Sequence, residues 1–441
     1  MKALKLSLVA ACAAGAFVGL NAAPLEEAIK DIDVSGFARY RYDISRYEMG
    51  EVLGGERDKS GSTSFHRFTL DVNFKATLDD NFFSFISTRY NTRDTSYAGK
   101  NHGITNNRGG LDPMNGWGDS GWGGPKADSL SIRQYYAGFT GIPDTVVLVG
   151  RFPLDTYFDY DVVGTGIKII NNSIPGLTLA AFAVDNIENN DDTTDLKMAN
   201  GEYVLQNNLY GLAAVGSWDW FSAQAWFAHL QNVASLWAVE LGANYAINDD
   251  VSIRGKLQVA GSSPTGKFKD DWAKAGTTVK GSTFLGVTAG LSAYGFDADL
   301  GYAYYGKKDA LTFNTIQYTG HLVLAGENLL GYTESGYSGQ VGGSNGAHSV
   351  FMAKAKYTFD KFWIGADYVY DKAKGSWDTF GIGGGSYKKG QEIVARIGYK
   401  YSDKMEFRAW HSWETKKYED AFGNGYKNKW NYFRFDATYT F

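Results

Sequence analysis

The amino-acid sequence predicts an all-β chain that closes into a transmembrane antiparallel β-barrel of about 18 strands. Three observations carry that prediction: two-residue alternation of apolar and polar side chains, connections of two distinct lengths, and a composition rich in glycine and aromatics but poor in proline. Successive side chains of a strand point to opposite faces, so alternation gives each strand one apolar and one polar side. The last stretch shows the rule: Phe433, Phe435, Ala437, Tyr439 and Phe441 alternate with Arg434, Asp436, Thr438 and Thr440. A bare amphipathic strand at the end of a chain needs a partner, and in a closed barrel that partner is the first strand.

The composition agrees. The 441 residues include 54 Gly and only 7 Pro, with 15% aromatics, where average chains carry about 7% Gly and about 5% Pro. Proline removes ladder hydrogen bonds, so its scarcity suits long uninterrupted pairing. Mean hydropathy is -0.30, and beyond the N-terminus no apolar run reaches the roughly 18 residues a spanning helix needs. Residues 1–22 read as a secretory signal peptide: Lys2 and Lys5 precede the apolar segment Leu6 to Leu20, and cleavage is expected after Ala22, leaving 23–441 as a single barrel domain. Cys12, the only cysteine, lies within that leader, so a mature chain holds no thiol, disulfide or cysteine-ligated metal. Loss of Lys2 and Lys5 takes the formal charge from -5 to -7, which argues against a nucleic-acid partner.

In chain order, Val34, Gly36, Ala38, Tyr40 and Tyr42 share one face of the first strand, opposite Ser35, Arg39, Arg41 and Asp43. The second strand sets Phe68, Leu70, Val72, Phe74, Ala76 and Leu78 against Arg67, Thr69, Asp71, Asn73, Lys75 and Thr77 without exception. Asp79-Asp80-Asn81 makes a tight turn into a strand over 82–93. Further strands are expected near 130–140, 145–152, 164–172, 177–185, 209–217, 221–230, 235–246, 251–260, 282–292, 296–305, 348–359, 362–371, 388–401, 405–414 and 429–441. Between 130 and 217 both faces are apolar or small, a pattern that suits subunit contact in place of lipid.

Short connections (for example 79–81, 218–220, 293–295 and 402–404) alternate with long ones (44–64, 94–129, 186–208, 261–281, 306–347, 372–387 and 415–428). Short periplasmic turns opposite long outer loops, joined by strands of about 10 residues, are the outer-membrane pattern. A soluble β-sandwich also alternates, but the leader, the even strand count and the aromatics near strand ends (Tyr40, Tyr42, Tyr90, Tyr399, Tyr401, Tyr439 and Phe441) favour a barrel with interface girdles. Closure satisfies every backbone group in lipid, and a barrel of this size encloses water.

If the polar faces line that water, Arg39, Arg41, Arg67, Arg89 and Arg151 form a basic wall. The segment 153–163, too aromatic for a solvated outer loop and too acidic for the lipid face with Asp155, Asp159 and Asp161, is expected to fold inward as a pore-constricting loop with those acids opposite the arginines. Charges facing one another across less than the Debye length of about 8 Å escape most screening and create a transverse field. Enzyme signals are weak. Gly118-Asp119-Ser120-Gly121 lacks His and Asp partners, Gly261 to Lys267 has Phe268 where a phosphate loop needs Ser or Thr, and the acidic run Asp185, Glu188, Asp191, Asp192 and Asp195 lacks the glycine of a Ca²⁺ loop. No catalytic residues are expected, and the acidic run reads as a solvated outer loop near lipopolysaccharide phosphate.

Several stretches resemble the major outer membrane porin family of Campylobacter and relatives. They are Pro24 to Asp31, Asp33-Val34-Ser35-Gly36 through Asp43, Val163-Gly164-Thr165-Gly166, Asn171-Asn172-Ser173-Ile174, Gly176 to Asp185, and Leu324-Ala325-Gly326-Glu327. The resemblance implies a homotrimeric, eighteen-stranded, cation-preferring general-diffusion porin, exposed at the cell surface, whose third outer loop enters the pore. It implies no required cofactor but a possible calcium site, for which Asp155, Asp161 and Glu327 are the candidates. The expected function is passive passage of ions and small hydrophilic solutes across the outer membrane. The alternatives are a sugar-type specific channel with Trp363, Trp410, Trp430 and Tyr432 as a sliding surface, and a surface adhesin or structural barrel.

Overall fold

The computed structural model describes residues 32–49, 59–94, 126–159, 161–187, 199, 204–317, 319–322, 325–330, 344–375, 386–420 and 422–441. The expected signal peptide, the Gly118–Gly121 motif and most of the acidic run after Asp185 lie outside the described residues. The strands are β1 (Ile32–Met49), β2 (Lys59–Asp79), β3 (Phe82–Asp94), β4 (Lys126–Ile142), β5 (Thr145–Pro153), β6 (Val163–Ile174), β7 (Leu177–Ile187), β8 (Leu209–Trp218) and β9 (Phe221–Leu230). They continue with β10 (Ala234–Ala246), β11 (Val251–Pro264), β12 (Ser282–Ala293), β13 (Phe296–Thr312), β14 (Ser344–Phe359), β15 (Phe362–Lys374), β16 (Ser386–Ser402), β17 (Met405–Glu419) and β18 (Gly425–Thr440). One helix, α1 (Gly266–Lys274), follows β11.

Each strand pairs antiparallel with the next, and β18 pairs with β1, so the 18-stranded sheet is closed. At the seam Phe37 stands opposite Thr440, and Gly36 and Phe441 exchange both backbone hydrogen bonds at 3.0 Å. Gly36 is required there by space: a Cβ would stand 2.0 Å from the Asp71 carbonyl oxygen and 3.0 Å from the Phe441 ring. The β2–β3 turn forms as its sequence dictates, with Asp79 Oδ1 accepting the N–H groups of Asn81 (2.7 Å) and Phe82 (3.0 Å).

The apolar parity faces outward. Val34, Tyr40, Phe68, Val149, Ile167, Leu212, Leu257, Val287, Ile364 and Ile397 are exposed, a distribution that in water would drive aggregation and in a bilayer meets lipid. Near the short turns the rings of Phe359, Phe362, Tyr399 and Phe407 form a stacked series with centroid spacings of 5.9, 4.4 and 6.4 Å. This is an aromatic band at the membrane boundary.

The buried core lies inside the barrel. Phe152 at the end of β5, with Leu154, Tyr157, Phe158 and Val162 from the β5–β6 connection, packs with Phe313, Ile316, Leu322 and Leu329 from the β13–β14 connection and with Phe268 of α1. Two expectations are corrected here. Phe313, Ile316, Leu322, Ala325, Leu329 and Leu330 do not belong to a solvated outer loop but lie inside the barrel, because this apolar set needs a dry partner. The 261–281 connection contains α1, whose Phe268 packs edge-on against Phe313 at 5.6 Å. Inside the barrel these segments pack against inward side chains of β7 to β15.

Candidate functional site

The site is the narrow bore between the inward loops and the charged wall. The β5–β6 loop is held from beneath by side chains of three strands. Lys168 of β6 donates to the carbonyl oxygens of Pro153 (3.2 Å) and Leu154 (2.8 Å) and pairs with Asp155 at 3.3 Å. Tyr157 donates to Glu240 of β10 (3.0 Å), and Gln258 of β11 donates to the same carboxylate (2.7 Å) and to the Tyr157 hydroxyl (2.5 Å). Burial, with Glu240 beside it, pushes the Tyr157 hydroxyl well above the usual phenol range, so it remains a donor.

The second loop rests on the first and on the opposite wall. Ile316 and Gln317 give their N–H groups to the Phe158 carbonyl oxygen, and His321 gives its N–H to that of Tyr157. Farther on, the Glu392 carboxylate of β16 accepts the backbone N–H groups of Glu327 (3.1 Å), Asn328 (3.0 Å) and Leu329 (3.1 Å) and the Ser412 hydroxyl (2.6 Å). Gly326, at φ +84°, permits this turn, since a Cβ there would meet Glu392 Oε2 at 2.3 Å.

Where the loops meet the wall, acids and bases pair. Asp161 lies 2.9 Å from Arg133 and 3.8 Å from Arg89, which itself grips Asp71 through two bonds of 2.7 and 2.6 Å. Glu327 and Asp367 share Arg396 at 2.5 and 2.6 Å. On the β1–β18 seam Arg41 pairs with Asp436 (2.7 Å) and Arg434 with Asp43 (2.6 Å).

The structure places Arg39, Arg41, Arg67 and Arg89 on neighbouring strands β1 to β3, and Asp155 and Asp161 on the β5–β6 loop. Other predicted residues differ. Asp159 does not face the bore: it is 1% exposed and accepts the Thr156 N–H at 3.1 Å and the Thr156 hydroxyl, so the acid caps its own turn. Arg151 is committed to the carbonyl oxygens of Arg133 (3.1 Å) and Asn186 (3.4 Å), tying strands together. Trp410 and Tyr432 stack at 5.2 Å beneath Arg434 and are nearly buried, which leaves little of the expected aromatic slide. Asp155, Asp161 and Glu327 each face a different cation, and among the described residues no group of three His, Cys, Asp or Glu is placed to hold a metal.

Sequence reasoning missed Arg133, Lys168, Glu240, Asp367, Glu392 and Arg396. Parity placed the strand residues inside, but Asp161 and Glu327 reach their partners only through the loop fold.

A closed barrel with a lipid-facing exterior, a charged bore and inward loops defines a non-enzymatic channel of the porin type in the outer membrane. The chain belongs to the Campylobacter major outer membrane protein family, whose model matches residues 1–440. No curated protein sequence matches it. Among solved structures it is similar to OpdK of Pseudomonas aeruginosa with vanillate (TM-score 0.64, 12% identity, covering 93% of this chain and 98% of that one). It is similar also to OccAB3 of Acinetobacter baumannii (TM-score 0.64, 13% identity, 93% and 100% covered) and to OccK9 (OpdG) of P. aeruginosa (TM-score 0.64, 12% identity, 93% and 99% covered). At these identities the likeness is one of fold.

Proposed function

We propose that this porin passes ions and small hydrophilic solutes by general diffusion with a mild cation preference. The observation that carries the reading is which member of each constriction pair meets water. The side chains of Asp155 and Asp161 are 73% and 51% exposed, whereas their partners Lys168 and Arg133 are 8% and 7% exposed. A mobile ion at the narrowest point meets carboxylate oxygens first, with the cations set behind them. The attraction acts within a Debye length and so persists at physiological salt. No bond is made or broken; selection is electrostatic and steric.

The test is the reversal potential of the purified, reconstituted protein in a KCl gradient, for wild type and for a D155N/D161N double variant. The wild type is expected to favour K⁺ and the variant to move toward or past neutrality. Anion preference in the wild type would defeat the reading.

We propose in addition that the barrel assembles as a homotrimer through the outer face of β6 to β9. There Ile167, Ile169, Ala181, Ala183, Leu212 and Phe227 line a shallow apolar groove of about 350 Å³. Small side chains at Ala181 and Ala183 let a second barrel approach closely, as small residues do elsewhere in membranes. Bulk introduced at this face as A181W should shift the detergent-solubilised protein to a smaller mass by light scattering.

A further inference from the structure

The outward face of β15 to β18 ends in a row of lysines. Lys372 stands opposite Lys389, Lys389 opposite Lys417 and Lys417 opposite Lys427 in the strand register, and all four are exposed. Their parity is outward, because the adjoining Asp371, Gly390, Lys416 and Tyr418 are buried on the inner face. Residues directly opposite on antiparallel strands hold their Cβ atoms about 4.5–5.5 Å apart, so four ammonium groups in a row repel one another. The acids nearby do not offset this. Glu419 pairs with Lys388 at 3.4 Å, Glu48 with Lys429 at 2.7 Å and Asp309 with Lys308 at 3.6 Å. Asp420 caps its own turn, accepting the N–H groups of Phe422 (2.9 Å) and Asn424 (2.8 Å). Among the described residues none of the four lysines of the row makes an ion pair or a hydrogen bond through its side chain.

The height of the row on the barrel points to what would offset it. Lys372, Lys389 and Lys417 each lie about ten residues along their strands from Phe362, Tyr399 and Phe407, the stacked rings near the short turns. A strand rises about 3.4 Å per residue and tilts by about 35–45°, so about ten residues climb about 24–28 Å along the membrane normal. That matches the apolar band of about 25 Å on outer-membrane barrels. The row therefore sits where acyl chains end and the head groups of the outer leaflet begin. Nearer the bilayer centre on the same face, Ile393 and Trp413 are each 48% exposed and continue the apolar belt. Strands β15 to β18 lie half the 18-stranded circuit away from β6 to β9, so the subunit contact proposed there leaves this face to lipid.

We propose that the lysine row binds the phosphates of a phosphorylated glycolipid of the outer leaflet, whose acyl chains lie on Ile393, Trp413 and the belt below. This goes beyond the passage of solutes, since the row faces away from the bore. Strands lie about 4.8 Å apart, so four of them spread positive charge over about 14 Å, the scale of a disaccharide head with a phosphate at each end. Each lysine beside an anionic lipid surface adds to the attraction, and phosphate between the ammonium groups relieves their mutual repulsion. A soluble polyanion would meet the same charges, but the row borders the apolar belt, which favours a ligand carrying both phosphate and chain.

The experiment uses the full-length protein, refolded free of lipid in detergent, with diphosphoryl lipid A as probe and binding read by thermophoresis. Saturable binding is expected in the wild type. K389Q/K417Q and K372Q/K427Q should each weaken it at least about tenfold, while K361Q/K404Q, at the short turns of the opposite rim, should leave it unchanged. Folding of every variant is verified by heat-modifiable gel migration. Five outcomes would overturn the proposal: no saturation in the wild type, full affinity in both row variants, equal weakening in K361Q/K404Q, equal binding of dephosphorylated lipid A or phosphatidylglycerol, or tighter binding of heparin, which would make the row a site for soluble polyanions. The porin reading fails separately, through absent single-channel conductance in the wild type.

Discussion

Asp159 shows how one residue can be misplaced by composition and still matter. Three aspartates in one short loop read as a charged rim, yet only Asp155 and Asp161 meet water, while Asp159 turns inward to cap Thr156. Burial raises its carboxyl from 3.8 to about 7, against the opposing pull of its bonds from Thr156. An acid whose folded pKa is raised holds its proton more tightly in the folded loop than in an opened one. The stabilisation is therefore present at low pH and is lost as pH rises from about 4 through about 7. Open-channel noise is therefore expected to grow as pH rises from about 4 to about 7 and to level off above it, and D159N, which stays neutral, should remove that step. Tyr157 gives a second expectation at this scale: Y157F removes the donor to Glu240 and should lower thermal stability by about 1 kcal/mol, measured by heat-modifiable migration.

At the scale of elements, the two inward loops are one structure in two pieces. The β5–β6 loop alone has an apolar underside that needs covering, and Phe313, Ile316 and Leu322 supply the cover. The far end of the second loop is pegged by Glu392, whose carboxylate gathers three successive backbone N–H groups. Leaving buried N–H groups unmatched costs about 1–3 kcal/mol each. E392A should release this end of the loop and raise single-channel conductance, while E392Q, which keeps one acceptor oxygen, should lie between. Unchanged conductance in E392A would show that apolar packing alone positions the loop.

At the scale of the whole molecule, the ends of the chain make the closure. Twelve consecutive residues of β1, Phe37 to Glu48, face β18, and inside the bore the pairs Arg41–Asp436 and Arg434–Asp43 cross the same seam. Asp43 is fully buried, so D43N leaves Arg434 without its carboxylate, a change worth about 3 kcal/mol. The expected result is a lower unfolding temperature with the strand content of the native state unchanged by circular dichroism. G36V, which drives a side chain into the Asp71 backbone, should hinder closure more severely and appear as failed barrel formation in a refolding gel.

Periodicity made the strands legible because a lipid-facing side chain must be apolar and its neighbour must not. Arg67, Thr69, Asp71 and Asn73 could be assigned to the bore from parity alone, and so could Arg39 and Arg41. The loop over 153–163 was also legible, because its aromatics and acids suit neither bulk water nor lipid. The inward placement of Phe313, Ile316 and Leu322 was not, since they are spaced without a strand or helix period and their partners, Leu154, Phe158 and Val162 among them, lie more than 150 positions away. Which acid of the 155–161 segment faces water was equally hidden, because it depends on the direction of individual turns.

The sequence by itself determined the barrel, its strand number, which face meets lipid and which residues can line the bore, because a period of two is a local property that the bilayer enforces on every strand. Only the tertiary structure decided which charges pair, which acids remain exposed at the constriction and that Lys372, Lys389, Lys417 and Lys427 stand in one outward row. Those follow from strand register and loop packing, and each joins residues that are distant along the chain.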